Sequence, residues 1–98
     1  MLRYESVWIS LGGELMPLAR LSNARKKMVG SKQTMKAINR GQAKVVYVAM
    51  NAERHVIDPI IQACRAKDIP LIEVDSMSQL GKACNIEVGC ASAAVIED

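Results

Sequence analysis

The chain has 98 residues, of which 50% are hydrophobic and 23% charged, and its formal net charge is +3. This length excludes two independent domains but suffices for one core that buries roughly two-thirds of the surface of the unfolded chain. The longest unbroken apolar run, Val45 to Met50, is much shorter than the roughly 20 residues of a membrane-spanning helix, and the first residues lack the apolar stretch of a signal peptide. We therefore expect a single cytoplasmic domain without membrane contact.

The charges are unevenly distributed along the chain. Residues 16–44 contain eight basic residues and no acidic one, whereas residues 45–98 contain four basic and eight acidic residues. The eight basic residues are Arg20, Arg25, Lys26, Lys27, Lys32, Lys36, Arg40 and Lys44. So many like charges in one segment are typical of a surface that binds an external anion, and nucleic acid phosphate is the commonest candidate. A basic surface that serves solubility alone is the alternative.

The first predicted elements are a short helix and an extended segment. Residues 21–28 are compatible with a helix capped by Ser22 or Asn23. Residues 28–30 follow as a brief extended piece that ends at Gly30, where glycine frees the backbone.

The next predicted element is a helix over residues 31–40. Met35 and Ile38 lie three residues apart and give this helix an apolar face, whereas Lys32 and most other polar residues fall on the opposite side of the 3.6-residue period. Gly41 ends the helix. The sequence therefore predicts an amphipathic helix with one basic side.

The middle of the chain predicts two strands with a helix between them. The run Val45–Met50 is rich in β-branched residues and does not alternate, as in a strand that is covered on both faces. Asp58 and Pro59 predict a helix start, with the carboxylate as N-cap and proline at the first helical position. This helix is expected to run to about Lys67, and residues 70–74 form the second strand.

The last part of the chain predicts one more helix and one more strand. Ser76 and Gln79 have the Ser-x-x-Gln spacing of a capping box at a helix start. Residues 85–92 are expected to form a loop and residues 93–96 a short strand. Because strands and helices alternate, we predict an α/β domain with helices on both faces of a small sheet.

No catalytic or metal-binding pattern is recognisable. Cys64, Cys84 and Cys90 are odd in number and match neither a disulfide framework nor the paired spacing of a zinc site, so we interpret them as reduced thiols. We interpret Cys64 as a small hydrophobic residue of the core. His55, the only histidine, has no metal-ligating partner at a suitable spacing. We expect no enzymatic activity, no cofactor and no bound metal.

The segment from Gly30 to Val46 resembles the signature of the kink-turn RNA-binding ribosomal proteins, the "L seven Ae" family. That signature is Gly-x-Asn-Glu-x-x-Lys-x-x-x-Arg-Gly followed by an apolar strand. The resemblance continues through residues 69–70 and 80–83 to a loop and a final apolar strand, and it covers residues 16–96. It implies a three-layer α/β/α sandwich with a small central mixed sheet of about four strands.

The resemblance also implies a function. Members of this family bind kink-turns, which are RNA stems bent sharply at a short bulge flanked by tandem G·A pairs, and they catalyse nothing. The expected partner is structured RNA, ribosomal or other, with the ribosome as a candidate, and the expected state is a monomer. The implied RNA-binding residues are Gly30, Ser31, Lys32, Gln33, Lys36, Arg40, Lys82, Ile86, Glu87, Val88, Gly89 and Cys90.

These residues are assigned by the resemblance to two contact surfaces. The N-terminal end of the helix over residues 31–40 enters the major groove at the G·A pairs and places Lys32, Gln33 and Lys36 against guanine edges and phosphates. The free N–H groups of a helix N-terminus and the four-residue spacing of the lysines favour this placement. In the loop before the last strand, Ile86 and Val88 either pack on a flipped-out base or anchor the loop under the sheet.

Three residues near this loop carry separate expectations. Glu87 is unfavourable near phosphate and is expected to point away from it. Cys90 permits close approach because it is small, with redox sensing as its alternative role. Lys82, at a helix end, is expected to contact backbone phosphate.

The sequence departs from the signature at Lys32, where most members carry asparagine, and at Gln33, where they carry glutamate. Glutamine offers guanine one acceptor oxygen where glutamate offers two, so base reading should be weaker. The lysine adds a charge, so binding should depend more strongly on phosphate and on salt. This Lys-Gln pair is similar to the bacterial branch of the family. A protein-interaction or stress-response adaptor on the same fold is the alternative function.

Residues 1–15 lie outside the resemblance. Residues 11–14, Leu-Gly-Gly-Glu, are compatible with codons that contain the purine-rich run of a bacterial ribosome-binding site, a few nucleotides before Met16. We therefore expect residues 1–15 to be a translated leader or a disordered extension and residues 16–98 to be the RNA-binding domain. That domain has Tyr47 as its only aromatic residue, which argues against RNA binding by aromatic stacking.

Overall fold

The computed structural model of the chain describes residues 15–98. The predicted leader therefore lies outside the described residues, except for its last residue. Along the chain, the elements are α1 (Leu15–Asn23), β1 (Lys26–Val29), α2 (Ser31–Asn39), β2 (Val45–Ala49), α3 (Arg54–Ala66), β3 (Leu71–Val74), α4 (Met77–Ala83) and β4 (Ser92–Glu97).

The four strands form one mixed sheet in the order β1-β4-β2-β3. Strand β4 runs antiparallel to both of its neighbours, β1 and β2, whereas β2 and β3 are parallel. Helices α2 and α3 pack together on one face of this sheet, and α1 and α4 pack together on the other. The predicted three-layer α/β/α sandwich with a four-stranded mixed sheet is thereby confirmed.

Strand β2 lies at the centre of the core. All five of its residues are buried, as the apolar run without alternation predicts for a strand that is covered on both faces. Tyr47 is fully buried, and this burial raises the pKa of its hydroxyl to about 12. Because Tyr47 is also the only Phe, Tyr or Trp residue after Trp8, no ring of these three types is exposed among the described residues.

The predicted helix over residues 21–28 is wrong. Helix α1 ends at Asn23, and the second half of the predicted segment is strand β1, which pairs with β4. Lys27 reaches back from this strand, and its Nζ donates to the carbonyl oxygens of Leu21 and Ser22 at 3.3 and 3.2 Å. The pairing of β1 with a neighbouring strand therefore decides the conformation of residues 26–28, which local propensity assigned to a helix.

The predicted start of the third helix at Asp58 is also wrong. Helix α3 begins one turn earlier, at Arg54, and Pro59 lies inside it on the exposed side. Asp58 forms an ion pair with Arg54 at 3.0 Å and caps nothing. Ile57 is fully buried and belongs to the same apolar stripe as Ile60, so core packing extends the helix towards its N-terminus past the proline.

The remaining predicted elements agree with the structure within one or two residues. Helix α2, strands β3 and β4, and the N-cap of α4 at Ser76 are all found where the sequence predicts them. Within residues 15–98, no helix combines the length and the apolar character that a membrane span requires.

Candidate nucleic-acid interface

Helix α2 separates a buried face from a basic exposed face. Thr34, Ala37 and Ile38 are buried against the sheet and α3. Lys32, Gln33, Lys36 and Arg40 are exposed. The three cations are spaced four residues apart, so they form one row along the helix surface. We call Lys32, Lys36 and Arg40 the α2 row.

The N-terminus of α2 is open. Its N-cap is Gly30, which has a φ of 97° and no side chain to accept a hydrogen bond from the first turn. The first intrahelical bond runs from the Thr34 N–H to the Gly30 carbonyl oxygen at 2.9 Å. The N–H groups before Thr34 therefore face outward beside Lys32, and no acidic residue lies in this turn. This end of the helix attracts anions through its free donors and its partial positive charge.

The start of strand β4 holds this helix end in place. The Gly30 N–H donates to the Ser92 carbonyl oxygen at 2.9 Å, and the Ser92 hydroxyl donates to the Ser31 hydroxyl oxygen at 3.2 Å. Ser92 is fully buried. The first turn of α2 is thus attached by two hydrogen bonds to the strand that follows the loop of residues 84–91.

The loop of residues 84–91 presents one exposed apolar side chain. Val88 is 70% exposed, and Glu87 and Gly89 beside it are exposed as well, whereas Ile86 is half-buried. The Ile86 N–H donates to the Gly81 carbonyl oxygen at 3.1 Å, and the Cys90 N–H donates to the Met77 carbonyl oxygen at 3.1 Å. Ile86 is therefore placed to anchor the loop against the protein, whereas Val88 is placed to contact a ligand at the surface.

Two of the sequence-predicted site residues do not present their side chains at the surface around the start of α2. Lys82 is exposed on α4, in the helical layer across the sheet from α2, and it lines an open groove of about 480 Å³ between α1 and α4. Cys90 is 4% exposed, so its side chain points into the protein. The structure brings the α2 row, the open end of α2 and the start of β4 together, and it leaves Lys82 on a different face.

The basic residues of the segment 16–44 are not equivalent. Arg20 donates to the Asp98 carboxylate at 2.7 and 3.1 Å, and this bond lowers the pKa of Asp98. Lys27 satisfies the last carbonyls of α1. The α2 row has no ion pair among the described residues. The expectation that all eight cations face an external anion is thus corrected for Arg20 and Lys27. The other six are exposed and have no ion pair among the described residues, and three of them form the α2 row.

Two residues that position the site were missed by sequence reasoning. Gly81 lies in α4 where the carbonyl oxygen of Val88 approaches it so closely that a Cβ atom would overlap this oxygen. Glycine inside a helix is less stable than alanine, so its presence there indicates that another part of the protein comes too close for a side chain. Ser92 carried a weaker signal, as a polar residue at the start of the otherwise apolar segment 92–96.

The described residues hold no group of three or more His, Cys, Asp or Glu side chains that is arranged for a metal ion. The three cysteines are free and buried.

Two proteins with similar sequences are named RNA-binding proteins. An RNA-binding protein of Geobacillus sp. strain WCH70 is 42% identical over 81 residues, which cover 83% of this chain and 99% of that protein. The RNA-binding protein YbxF of Geobacillus stearothermophilus is 38% identical over the same shares of both chains.

A solved structure is similar as well. The 15.5 kD RNA-binding protein of Giardia lamblia superposes with a TM-score of 0.77 at 27% identity, over 91% of this chain and 76% of that one. The sequence model of the ribosomal protein L7Ae/L30e/S12e/Gadd45 family matches residues 15–98. The chain therefore belongs to the ribosomal protein L7Ae/L30e/S12e/Gadd45 family.

Proposed function

We propose that this protein binds structured RNA without catalysing a reaction on it, and that its target is a kink-turn with tandem G·A pairs. The observation that carries the proposal is the open N-terminus of α2 beside a row of cations that have no acidic partner. We further propose that the protein acts as a cytoplasmic monomer. The names of its relatives, which are RNA-binding proteins, support the class of ligand.

At the helix end, the proposed contacts divide into two kinds. The free N–H groups of the first turn, together with Lys36 and Arg40, bind phosphates and fix the position of the RNA. Lys32 and Gln33 lie in the first turn, where Lys32 donates to guanine acceptors exposed at the kink and the Gln33 side-chain oxygen accepts from guanine N–H groups. An undistorted A-form stem hides its base edges in a deep, narrow groove, so these contacts select a kinked stem.

The loop of residues 84–91 supplies the second proposed contact. Val88 is an exposed apolar side chain attached through a backbone that is fixed to α4 at Gly81 and Met77. An unstacked base can cover Val88 and remove its apolar surface from water. Glu87 beside it repels phosphate, which keeps the RNA backbone away from this point.

The decisive experiment compares two RNAs of equal length and charge. One carries tandem G·A pairs at the bulge, and in the other these pairs are replaced by Watson–Crick pairs. We expect the replacement to reduce affinity at least tenfold in a gel-shift or fluorescence titration at fixed salt. Equal affinities would identify a non-specific basic surface or a protein-interaction adaptor, because such a protein does not distinguish the two stems.

A pair of lysine variants tests the location of the site. Lys36→Ala is expected to weaken binding to the G·A stem by about 1 to 3 kcal/mol, because it removes one cation of the α2 row. Lys67→Ala is the matched control, since Lys67 is an exposed lysine at the C-terminal end of α3 without an ion pair among the described residues. Comparable losses in the two variants would contradict the assignment to α2.

The ribosome is one candidate source of the target RNA. Sedimentation of a cell extract at low and high salt separates two cases. Retention with a ribosomal subunit at high salt supports a ribosomal target, whereas release into the light fractions with a bound non-ribosomal RNA supports another structured RNA.

A further inference from the structure

Two exposed lysines outside the α2 row flank β4 at the end of the sheet that is remote from Gly30. Strand β1 begins there with Lys26, which pairs with Glu97 of β4, and Lys44 lies directly before β2. The Lys44 N–H donates to the Val95 carbonyl oxygen of β4 at 2.8 Å. Because adjacent strands lie about 4.8 Å apart, the backbones of the two lysines are separated by roughly 10 Å. Neither lysine forms an ion pair among the described residues. We call Lys26 and Lys44 the sheet-end pair.

Helix α2 leads from its open N-terminus to this end of the sheet. It contains nine residues, which rise about 13 Å along the helix axis. After Arg40, the last cation of the α2 row, the chain turns at Gly41 with a φ of 70° and reaches Lys44 three residues later. The α2 row and the sheet-end pair therefore form one basic surface that continues past the C-terminus of α2.

The C-terminus of α2 is closed by backbone hydrogen bonds. The Gly41 N–H donates to the Ile38 carbonyl oxygen at 3.0 Å, and the Gln42 N–H donates to the Ala37 carbonyl oxygen at 2.9 Å. Two of the carbonyl oxygens that a helix C-terminus leaves without an intrahelical partner are thereby occupied. This closure, together with the positive charge of Arg40 at the C-cap, reduces the repulsion between the negative end of the helix and a phosphate.

Two carboxylates also lie at this end of the sheet. Asp98 is held by Arg20, whose guanidinium donates to it at 2.7 and 3.1 Å. This hydrogen bond is the largest cause of the lowered pKa of Asp98, and the charge of Lys44 contributes less in the same direction. Positive charge nevertheless prevails, because the cations at this end are Arg20, Arg25, Lys26, Arg40 and Lys44, whereas the anions are Glu97 and Asp98.

We propose that the sheet-end pair binds phosphates of the RNA stem that carries the G·A pairs, so that this stem lies along α2 from its open N-terminus to beyond its C-terminus. This course of the RNA rests on the proposed function and extends the contact surface that it assigns. At physiological salt, charges are largely screened beyond about 8 Å, which is less than the length of α2. Lys26 and Lys44 therefore affect affinity strongly only when the stem reaches them.

A double-stranded stem fits this surface better than a single strand. Proteins that bind single strands combine a basic groove with aromatic side chains on which successive bases stack. The described part of the chain exposes no Phe, Tyr or Trp ring, and the sheet-end pair supplies charge alone. Its contacts therefore fix the position of the stem and raise affinity without reading the base sequence.

Two RNAs that share the bulge and the G·A pairs test this proposal on the full chain. In the short RNA, the stem ends directly beyond the G·A pairs, and in the long RNA it continues for a full helical turn. We expect Lys26→Gln/Lys44→Gln to bind the long RNA at least tenfold more weakly than the wild type at physiological salt, and the slope of log affinity against log salt to fall by about 2. Affinity for the short RNA should stay within about twofold, which also shows that the variant is folded.

The matched control is Arg65→Gln/Lys67→Gln, which removes the same charge from exposed positions at the C-terminal end of α3. It should change the affinity for either RNA by less than about threefold. Lysine acetylation followed by mass spectrometry gives an independent measurement on the wild type. The long RNA, but not the short one, should protect Lys26 and Lys44, whereas Lys67 should stay reactive with both.

The outcomes separate this proposal from kink-turn recognition. Equal losses of affinity for the short and the long RNA, or equal acetylation of Lys26 and Lys44 in both complexes, would overturn the course of the stem and leave a preference for G·A pairs intact. A loss that appears only when the stem on the other side of the bulge is lengthened would also overturn it. The predicted length-dependent loss, measured equally with stems in which Watson–Crick pairs replace the G·A pairs, would refute kink-turn recognition and retain the stem contact at the sheet-end pair.

Discussion

Helices α2 and α4 lie on opposite faces of the sheet and begin in opposite ways. At α4, the Ser76 hydroxyl oxygen accepts from the Gln79 N–H at 3.2 Å, and Asn51 Oδ1 accepts from the Met77 N–H at 2.8 Å. At α2, the N-cap is Gly30, which offers no side-chain acceptor. One helix end is closed by the protein's own side chains, and the other is left open.

The capped N-terminus of α4 has its N–H groups bound within the protein, whereas the uncapped N-terminus of α2 keeps them available for a ligand. With glycine as its N-cap, α2 forgoes roughly a few tenths of a kcal/mol of the stability that a side-chain cap would contribute. The open end is nevertheless well positioned, since two hydrogen bonds to Ser92 fix its first turn. Departures from the local rules of stable folding concentrate at functional sites, so the open end of α2 points to a ligand from outside the protein.

The largest expected effect comes from an acidic residue placed at the open end. Lys32→Glu should weaken binding to the G·A stem by about 2 to 3 kcal/mol, because it removes a cation and places an anion beside phosphate. The same change should raise the free energy of unfolding by about 0.3 to 1 kcal/mol, because a carboxylate favours the positive end of the helix dipole. Titration with RNA and denaturation by urea measure the two quantities.

The control for this variant is Lys67→Glu at the C-terminal end of α3. It makes the same change in net charge but should alter RNA affinity less than about threefold at physiological salt, where charges beyond about 8 Å are largely screened. It should also lower the free energy of unfolding slightly, because an anion is unfavourable at a helix C-terminus. If both variants weakened RNA binding equally, the open end of α2 would have no special role.

The next effect concerns the attachment of the loop to α4. Gly81→Ala introduces a Cβ atom that overlaps the Val88 carbonyl oxygen. We expect a loss of about 1 to 2 kcal/mol in the free energy of unfolding, since the overlap outweighs the better helix propensity of alanine. RNA affinity should also fall, because Val88 moves. Ser78→Ala, an exposed change on the same helix, should remain within about 0.5 kcal/mol of the wild type in stability. A Gly81→Ala protein as stable as Ser78→Ala would show that the loop moves without cost.

Much of the fold follows from local patterns in the sequence. The unbroken apolar run of β2 and the capping box at Ser76 both predict features that the structure contains. These signals depend on residues close in sequence. The helix over residues 31–40 and its exposed basic face were predictable for the same reason, because a period of 3.6 residues separates buried Ile38 from exposed Lys36.

The errors and omissions depend on contacts between distant residues. Strand β1 exists because Met28 pairs with Ala94, and no local pattern reports a partner so far along the chain. The sequence also does not show which cations form ion pairs. Arg20 and Asp98 lie at opposite ends of the described chain and form their ion pair only in the folded protein.

Removing the cap of α4 is expected to have a smaller and more selective effect. Ser76→Ala should lower the free energy of unfolding by about 1 kcal/mol, because the Gln79 N–H loses its acceptor. RNA affinity should stay within about twofold, since this helix end is occupied by the protein itself. Urea denaturation and RNA titration again separate the two effects. A loss of RNA affinity without a loss of stability would place α4, and not α2, at the RNA.

The smallest expected effect concerns the preference of α2 for the G·A stem over the Watson–Crick stem. Gln33→Glu restores the residue that the resembled signature carries and adds a second acceptor oxygen for guanine donors. We expect the ratio of affinities for the G·A stem and the Watson–Crick stem to rise by about threefold, while absolute affinity for the Watson–Crick stem falls because the net positive charge decreases. Titrations of both stems at two salt concentrations measure the ratio and the salt dependence together. An unchanged ratio with weaker binding to both stems would mean that residue 33 contacts phosphate and not a base, and that the open end of α2 recognises the shape of the RNA backbone alone.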